Sequence, residues 1–383
     1  MSNISLDNMV SLFAGIGGFE LGFNSIGVTT TLTCEIDPIA QHILKNRIPE
    51  AELVSDICSL KSLPSDTSIL CAGFPCQDIS TIGIKKGLSG TRSSLIKEVF
   101  RLLKRTKVEW VVIENVTNML HLNNGEVINT IVTELEGLGY NWAYRTIDSL
   151  SFVPQHRKRV YVVASRHFDP RRVLLSDDSS VVIDRVSQDC AKHSCGFYWT
   201  EGKYAIGLYK DAIPTLKCGS TIGIASPPAI LFPNGDISCP DIRDAERLQG
   251  FPADWTEPAE EIAKPSCRWK LVGNAVTVDV VSWVANKIIS PQDYDYSNDR
   301  EISNDEKWPS AAWGMNKKRH VSSVSAYPIE RQEIPLERFL EYPCRPLSHK
   351  AAIGFEKRLN SGTVKSPLFF TEAVHNYVIS KTE

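Results

Sequence analysis

The sequence predicts an α/β protein: a doubly wound, mostly parallel sheet with a second, smaller domain rich in β-strands and loops. Three observations predict it. Short apolar runs of strand character alternate with helical patterns over the first 165 residues. A glycine cluster follows the first such run, at the sheet edge where open α/β proteins bind ligands. The alternation stops near residue 166 and periodicity returns only near 276, leaving an irregular stretch rich in Gly, Pro and Ser.

Taken in order, MVSLF (9–13) reads as the first strand and leads into a helix beginning near Gly17. TTLTC (30–34) is the second strand, and Pro38 suits the first turn of the helix that runs to Asn46. SILCA (68–72) precedes a loop and then SSLIKEVFRLLKR (93–105), whose Leu95, Ile96, Val99, Leu102 and Leu103 recur at helical spacing. WVVIE (110–114) has the pattern of a buried strand, VINTIVTELEGL (127–138) that of a helix, and further strands are expected near 142–147 and 159–164. VTVDVVSWVANKII (276–289) reads as a helix that packs back on the first domain, and Ser290–Lys307 as an acidic, turn-rich linker. The expected organisation is a ligand-binding domain of residues 1–165 plus 263–290, a second domain of residues 166–262, and a C-terminal extension, 291–383, that removal should leave dispensable for folding.

Composition narrows the function. With 42% hydrophobic and 23% charged residues the chain is globular, not disordered. No apolar run approaches the ~18–20 residues of a membrane span, and MSNISLDNMV has no secretory pattern. Ten cysteines without a CxxC pair suit reduced thiols in a cytoplasmic protein. The net charge is −3, yet basic residues cluster at 85–107 (Lys85, Lys86, Arg92, Lys97, Arg101, Lys104, Arg105, Lys107) and at 156–172. Two such segments are compatible with a polyanion-facing surface or with solvated helix faces. Cys190, His193 and Cys195 lack a fourth ligand at zinc spacing, so no metal is expected.

The chemistry-bearing residues gather at strand ends. Ala14-Gly15-Ile16-Gly17-Gly18 lacks the third glycine of a dinucleotide fingerprint, since Glu20 stands there; the spacing suits an adenosyl ligand without a pyrophosphate. Glu35 ends the second strand, where it could hold ribose hydroxyls, and Asp56 could meet an adenine amino group. Cys76, in Gly73-Phe74-Pro75-Cys76-Gln77, is a candidate nucleophile on a sharp turn, and Glu114 ends the fifth strand as an acid/base candidate. In an extended Gln155-His156-Arg157-Lys158-Arg159, alternate residues Gln155, Arg157 and Arg159 would point the same way.

These blocks together resemble the DNA (cytosine-5) methyltransferases of prokaryotic or phage type. FAGIGGFE (13–20), GFPCQDIS (73–80), ENV (114–116), QHRKR (155–159), RLQGFP (247–252) and GNAV (273–276) follow the family's order and spacing over roughly residues 8–290. The resemblance implies a Rossmann-like class I methyltransferase domain and a target-recognition domain at 166–262. It implies that S-adenosylmethionine lies against Phe13, Gly15, Ile16, Gly18, Glu35, Ile36, Asp56, Ile57, Pro75, Leu95, Asn274 and Val276 and leaves as S-adenosylhomocysteine. Cys76 would be the nucleophile, Glu114 the cytosine-binding acid, and Arg157 and Arg159 the arginines beside it. Ser80, Lys85, Lys86, Gln155 and Thr215 would contact DNA, with Thr215-Leu216 anchoring recognition. The implied activity is site-specific methylation of a flipped-out cytosine in double-stranded DNA, in restriction-modification or phage contexts. The implied partners are a cognate restriction endonuclease or defence-system proteins, and the implied state is a nucleoid-associated monomer. A tRNA-methylating branch shares the blocks, but its Cys-Phe-Thr element is absent here. A nicotinamide-dependent oxidoreductase fits the fold but not the missing glycine or Pro75-Cys76. A catalytically dead regulator would not keep every catalytic position occupied.

Overall fold

The computed structural model describes residues 6–75, 95–179, 191–219, 227–303, 306–331, 334–363 and 366–381. Its first half follows the predicted alternation. β1 (Asn8–Leu12) runs through the glycine loop into α1 (Gly18–Asn24), then β2 (Thr29–Cys34), α2 (Pro38–Arg47) and β3 (Glu52–Val54). Asp37 caps α2 by accepting the Ile39 N–H at 2.9 Å, and Pro38 sits in the first turn, where no intrahelical donor is needed. β4 (Ile69–Ala72), α3 (Leu95–Arg105), β5 (Trp110–Val116), α4 (Glu126–Gly137), β6 (Asn141–Asp148), β7 (Gln155–His156), β8 (Lys158–Ser165) and α5 (Arg171–Leu174) follow. Then come β9 (Cys195–Phe197), β10 (Tyr209–Lys210), β11 (Ile213–Pro214), β12 (Ala229–Leu231), β13 (Ile237–Cys239), α6 (Ile242–Arg247), α7 (Cys267–Asn274) and α8 (Val278–Ile289). The tail adds β14 (Arg300–Glu301), β15 (Ala311–Met315), β16 (Lys318–Val321), α9 (Leu336–Phe339), β17 (Arg345–Pro346), α10 (His349–Ser361) and α11 (Leu368–Ser380).

The chain divides into two units. The first takes in the described residues of Met1–Asp148, Lys158–Ser180 and Val276–Glu330. Its ten-stranded sheet has the order β14-β16-β15-β6-β8-β5-β4-β1-β2-β3. The pairs from β3 to β5 are parallel, and those from β5 outwards through β8 and β6 to β14 are antiparallel. The chain winds from β1 to β3 in one direction and from β4 onwards in the other, so the topological switch lies between β1 and β4. Val10, Leu12, Leu70, Ala72, Val111 and Ile113 form one sheet face, covered by the apolar stripes of α3 and α4. Burying such side chains contributes roughly 1.5–3 kcal/mol each.

The second unit takes in the described residues of Ser149–Arg157, Val181–Ala275 and Arg331–Glu383. Its five-stranded antiparallel sheet has the order β10-β9-β12-β13-β17, and β11 pairs in parallel with β7. Phe197, Ile206, Leu231 and Ile237 share one core with Phe355, Leu359, Phe370, Val374 and Tyr377.

The tail therefore departs from the expected dispensable extension. Residues 291–330 belong to the first unit: β15 pairs with β6 through Ala312↔Tyr144 and Trp313↔Ala143, and Arg319 meets Glu136 of α4 at 2.7 Å. Without β15, β6 would be an exposed edge carrying Trp142 and Tyr144, both fully buried. Residues 331–383 supply the helices that cover the second sheet. The predicted domain boundaries shift accordingly, because Ser149–Arg157 and the residues up to Ala275 pack within the second unit.

Candidate active site

At the carboxyl end of β1 the backbone turns through Phe13, Gly15 and Gly17, all in the left-handed region (φ 58°, 57° and 92°). For Phe13, a residue with a Cβ, this conformation costs roughly 1–2 kcal/mol, and such strain collects at functional sites. The turn is held by Ala14 N–H donating to the Cys34 carbonyl at 3.0 Å and by Gly17 N–H donating to the Ala14 carbonyl at 3.0 Å. A Cβ on Gly15 would meet nothing within 4 Å, so glycine answers the dihedral there rather than a lack of space.

Glu35, just past β2, grips this loop. Its carboxylate accepts the Gly15 N–H at 2.7 Å and the Asp37 N–H at 2.8 Å. Lone pairs remain on both oxygens for two further donors, such as a ribose diol. Ile36 beside it is 74% exposed, an apolar surface facing water at the ligand-binding edge of the sheet. Asp56 is exposed and caps the short turn at Ile57–Ser59 through the Cys58 N–H at 2.9 Å, while Ile57 is buried. Phe13 and Leu95 are half-buried and pack against the same core. The buried Ile16, Gly18 and Val276 and the exposed Pro75 complete the first unit's predicted ligand residues.

Glu114 lies one sheet position from the loop after β4. A Cβ on Gly73 would be 3.8 Å from Glu114 Oε2, 3.6 Å from the Phe19 ring and 4.0 Å from Val276 Cγ1. Val116 and Arg159 are paired across β5 and β8, so Glu114 and Arg159 are diagonal neighbours on one face. Arg159 Nε stands 3.2 Å from Glu114 Oε1. Asn115, to which the sequence assigns no separate role, donates from Nδ2 to the Phe74 carbonyl at 2.9 Å and pins the segment that follows β4. Cys76, Ser80, Lys85 and Lys86 lie outside the described residues.

The arginine block does not act as the three-residue row expected from its alternation. Arg159 is the member of the block that meets Glu114 within the first unit. Gln155 is fully buried in the second unit; its Nε2 donates to the Leu248 carbonyl (2.8 Å) and Gln249 Oε1 (2.6 Å), and its Oε1 accepts the Leu216 N–H at 2.8 Å. These contacts make Gln155 an internal brace of the second unit. Arg157 is also buried there, donating to the carbonyls of Leu216 (3.2 Å), Gly273 (3.2 Å) and Ala275 (2.6 Å). Thr215 Oγ1 donates to the His156 carbonyl at 2.7 Å, and its own carbonyl accepts from Tyr198 Oη at 2.6 Å. Asn274 is exposed at the end of α7.

Tyr198 and Gln249 were missed as brackets of this element, although Gln249 stands within RLQGFP. Gly273 is required by close approach, since a Cβ would lie 2.4 Å from the Lys217 carbonyl carbon. In the region of the doubtful metal cluster, His193 Nδ1 lies 2.8 Å from Asp211 Oδ2 and Cys195 is buried in β9. No group of three candidate metal ligands occurs among the described residues.

A left-handed glycine turn at the switch point, an acid just past β2 and a carboxylate–guanidinium pair across β5 and β8 gather at the carboxyl edge of the sheet, where α/β enzymes bind ligands. The model of the C-5 cytosine-specific DNA methylases matches residues 8–189. The chain is 43% identical over 358 residues to the type II methyltransferase M2.BsuMI of Bacillus subtilis (strain 168), covering 91% of this chain and 92% of that protein. It is 31% identical over 312 residues to the type II methyltransferase M.SsoII of Shigella sonnei, covering 74% and 80% of the two chains. The crystal structure of the S. pombe Dnmt2 methyltransferase matches with a TM-score of 0.54 at 17% identity, over 74% of this chain and 98% of that one, a likeness of fold alone. The chain belongs to the C-5 cytosine-specific DNA methylases and is a DNA (cytosine-5)-methyltransferase.

Proposed function

We propose that the chain methylates C5 of a cytosine flipped out of duplex DNA, through a transient bond between Cys76 Sγ and C6, at one short target sequence. The observation that carries the reading is the Glu114–Arg159 pair, at 3.2 Å, beside the turn that leads to Cys76. Cytosine C5 is a poor nucleophile. Addition of a thiolate at C6 places the electron pair of the C5–C6 double bond on C5, and developing negative charge spreads to N3 and O2. Glu114, as the acid, would give N3 a proton or hydrogen bond, and Arg159 would hold that carboxyl in place and add positive charge. C5 then takes a methyl group, its proton leaves to a base, and elimination returns the pair to Sγ. The target carbon is inaccessible in a stacked duplex, which is why the base must leave the helix.

S-adenosylmethionine would supply the methyl group as an electrophilic sulfonium. The loop suits it: Gly15 brings backbone within reach of a ligand, Glu35 keeps acceptor capacity for the ribose, and Phe13 and Ile36 offer apolar surface for the adenine. Asp56 and Ile57 would meet the adenine edge. In the second unit, the braced Thr215-Leu216 element and the loops around it would read the target, and basic residues would meet phosphates. Double-stranded DNA, a cognate restriction endonuclease and a monomeric, cytoplasmic enzyme complete the reading.

Bisulfite sequencing of DNA from cells expressing the chain tests it and reports the site. One protected sequence is expected with the wild type and none with Cys76→Ser. Protection that persists in that variant overturns the covalent route.

A further inference from the structure

Glu20, in the first turn of α1, is the most deeply buried acid near the ligand loop, at 2% exposure. Neither carboxylate oxygen nor the neighbouring Ser11 Oγ makes a well-formed hydrogen bond among the described residues, and the Ser11 hydroxyl and the Glu20 backbone N–H offset only part of the burial. Buried polar atoms in folded proteins are nearly always paired, and a carboxylate with two unmet oxygens needs a compensating group. Among the described residues the groups that act on it are its own backbone N–H, Ser11 of β1, Cys71 of β4 and Glu35 past β2, none of them a cation. α8, packed on α1, carries Asp279 in its own first turn, another acid. Glu35 is already engaged by the Gly15 and Asp37 N–H groups, so Glu20 is the carboxylate of this loop that faces no cation among the described residues.

Resting on the reading that the ligand is S-adenosylmethionine, we propose that Glu20 is the counter-charge to the cofactor's sulfonium, ionising as the cation binds. Burial first, and the nearby negative charge of Glu35, push its carboxyl up to about 7. Near neutral pH part of the population is therefore protonated. A positive charge settling beside it favours the carboxylate, so the proton leaves to buffer as the cofactor arrives. S-adenosylhomocysteine has a neutral thioether at that place and gains less from the same carboxylate. Glu20 would thus favour cofactor over spent product.

The test is titration calorimetry on the full chain at pH 7 in buffers of different ionisation enthalpy. For S-adenosylmethionine, release of about half a proton is expected, falling towards zero near pH 9, where the carboxyl is already ionised. S-adenosylhomocysteine should release less. Glu20→Gln should abolish the release and weaken S-adenosylmethionine about tenfold, the equivalent of one pKa unit, with a much smaller loss for S-adenosylhomocysteine. Binding without release in the wild type overturns the proposal, a measurement that needs no variant. So does release that persists in Glu20→Gln, or an unchanged ratio of the two affinities. No binding of S-adenosylmethionine at all would instead overturn the cofactor reading beneath it.

Discussion

Glu114 and Glu20 show how one residue type takes different duties from its surroundings. Glu114 is 7% exposed with Arg159 Nε 3.2 Å away, so its carboxyl is held in place by a neighbouring cation. Glu114→Gln keeps shape and a donor but cannot deliver a proton, and single-turnover methylation should fall about 10²–10⁴-fold. Duplex affinity at fixed salt should barely move, because phosphate contacts dominate it; a collapse of affinity with an unchanged rate would make Glu114 a holder of the base only. Glu20 has no such cation beside it among the described residues, and burial pushes its carboxyl up to about 7 from the usual 4.5. The unfolded chain ionises above about 4.5 while the folded one still holds the proton. The favourable state is thus fully present below 4.5 and is lost as pH rises through 7. Glu20→Gln should stabilise the unliganded protein at pH 8 by up to about 3 kcal/mol, at ~1.4 kcal/mol per unit, and the gain should vanish near pH 4. Denaturant melts at the two pH values check this.

At the scale of elements, the braced loop of the second unit is held by backbone acceptors. Arg157 serves the carbonyls on either side of Asn274 and that of Leu216, so α7's end and the Thr215-Leu216 element are fixed to one guanidinium. Arg157→Ala should leave three buried carbonyls without that donor and cost about 1–3 kcal/mol, the range for buried acceptors left unpaired. Arg157→Lys cannot match a planar fork and should recover little. A loss below about 1 kcal/mol in a urea melt would show the brace to be redundant. Gly273→Ala forces the Lys217 backbone to move and should cost about 1–3 kcal/mol, measurable in the same way.

The whole molecule is more interwoven than two domains and a tail. Deleting residues 291–383 should fail to give a folded protein, because it removes β15 from the buried edge of β6 and both helices from the second core. A soluble, cooperative fragment 1–290 would contradict this. Exchange of the second unit, proposed above to read the target, with that of a relative of known target carries the same lesson. Moving 166–262 alone divides the core formed by Phe197, Leu231, Phe355 and Phe370 and should give insoluble chains. Moving it together with 331–383 should give a soluble enzyme whose methylated site follows the donor, read by bisulfite sequencing.

Local periodicity and the order of short blocks were sufficient to read the first half of the sheet, the glycine loop, and Glu35, Glu114 and Arg159 at strand ends. Those features depend on neighbours in the chain: strand alternation, helical spacing, a turn that glycine permits. Only tertiary structure decided the rest. AAWGM at 311–315 carries little strand signal, and becomes β15 because the edge of β6 far away in sequence needs a partner. Gln155 and Arg157 alternate with Arg159 along the chain, yet two turn inward to carbonyls, because the chain passes from one unit to the other between Arg157 and Lys158. Glu20 looked like the residue replacing a missing glycine. Its significance comes from desolvation, which depends on everything packed around a side chain and on nothing in its immediate sequence.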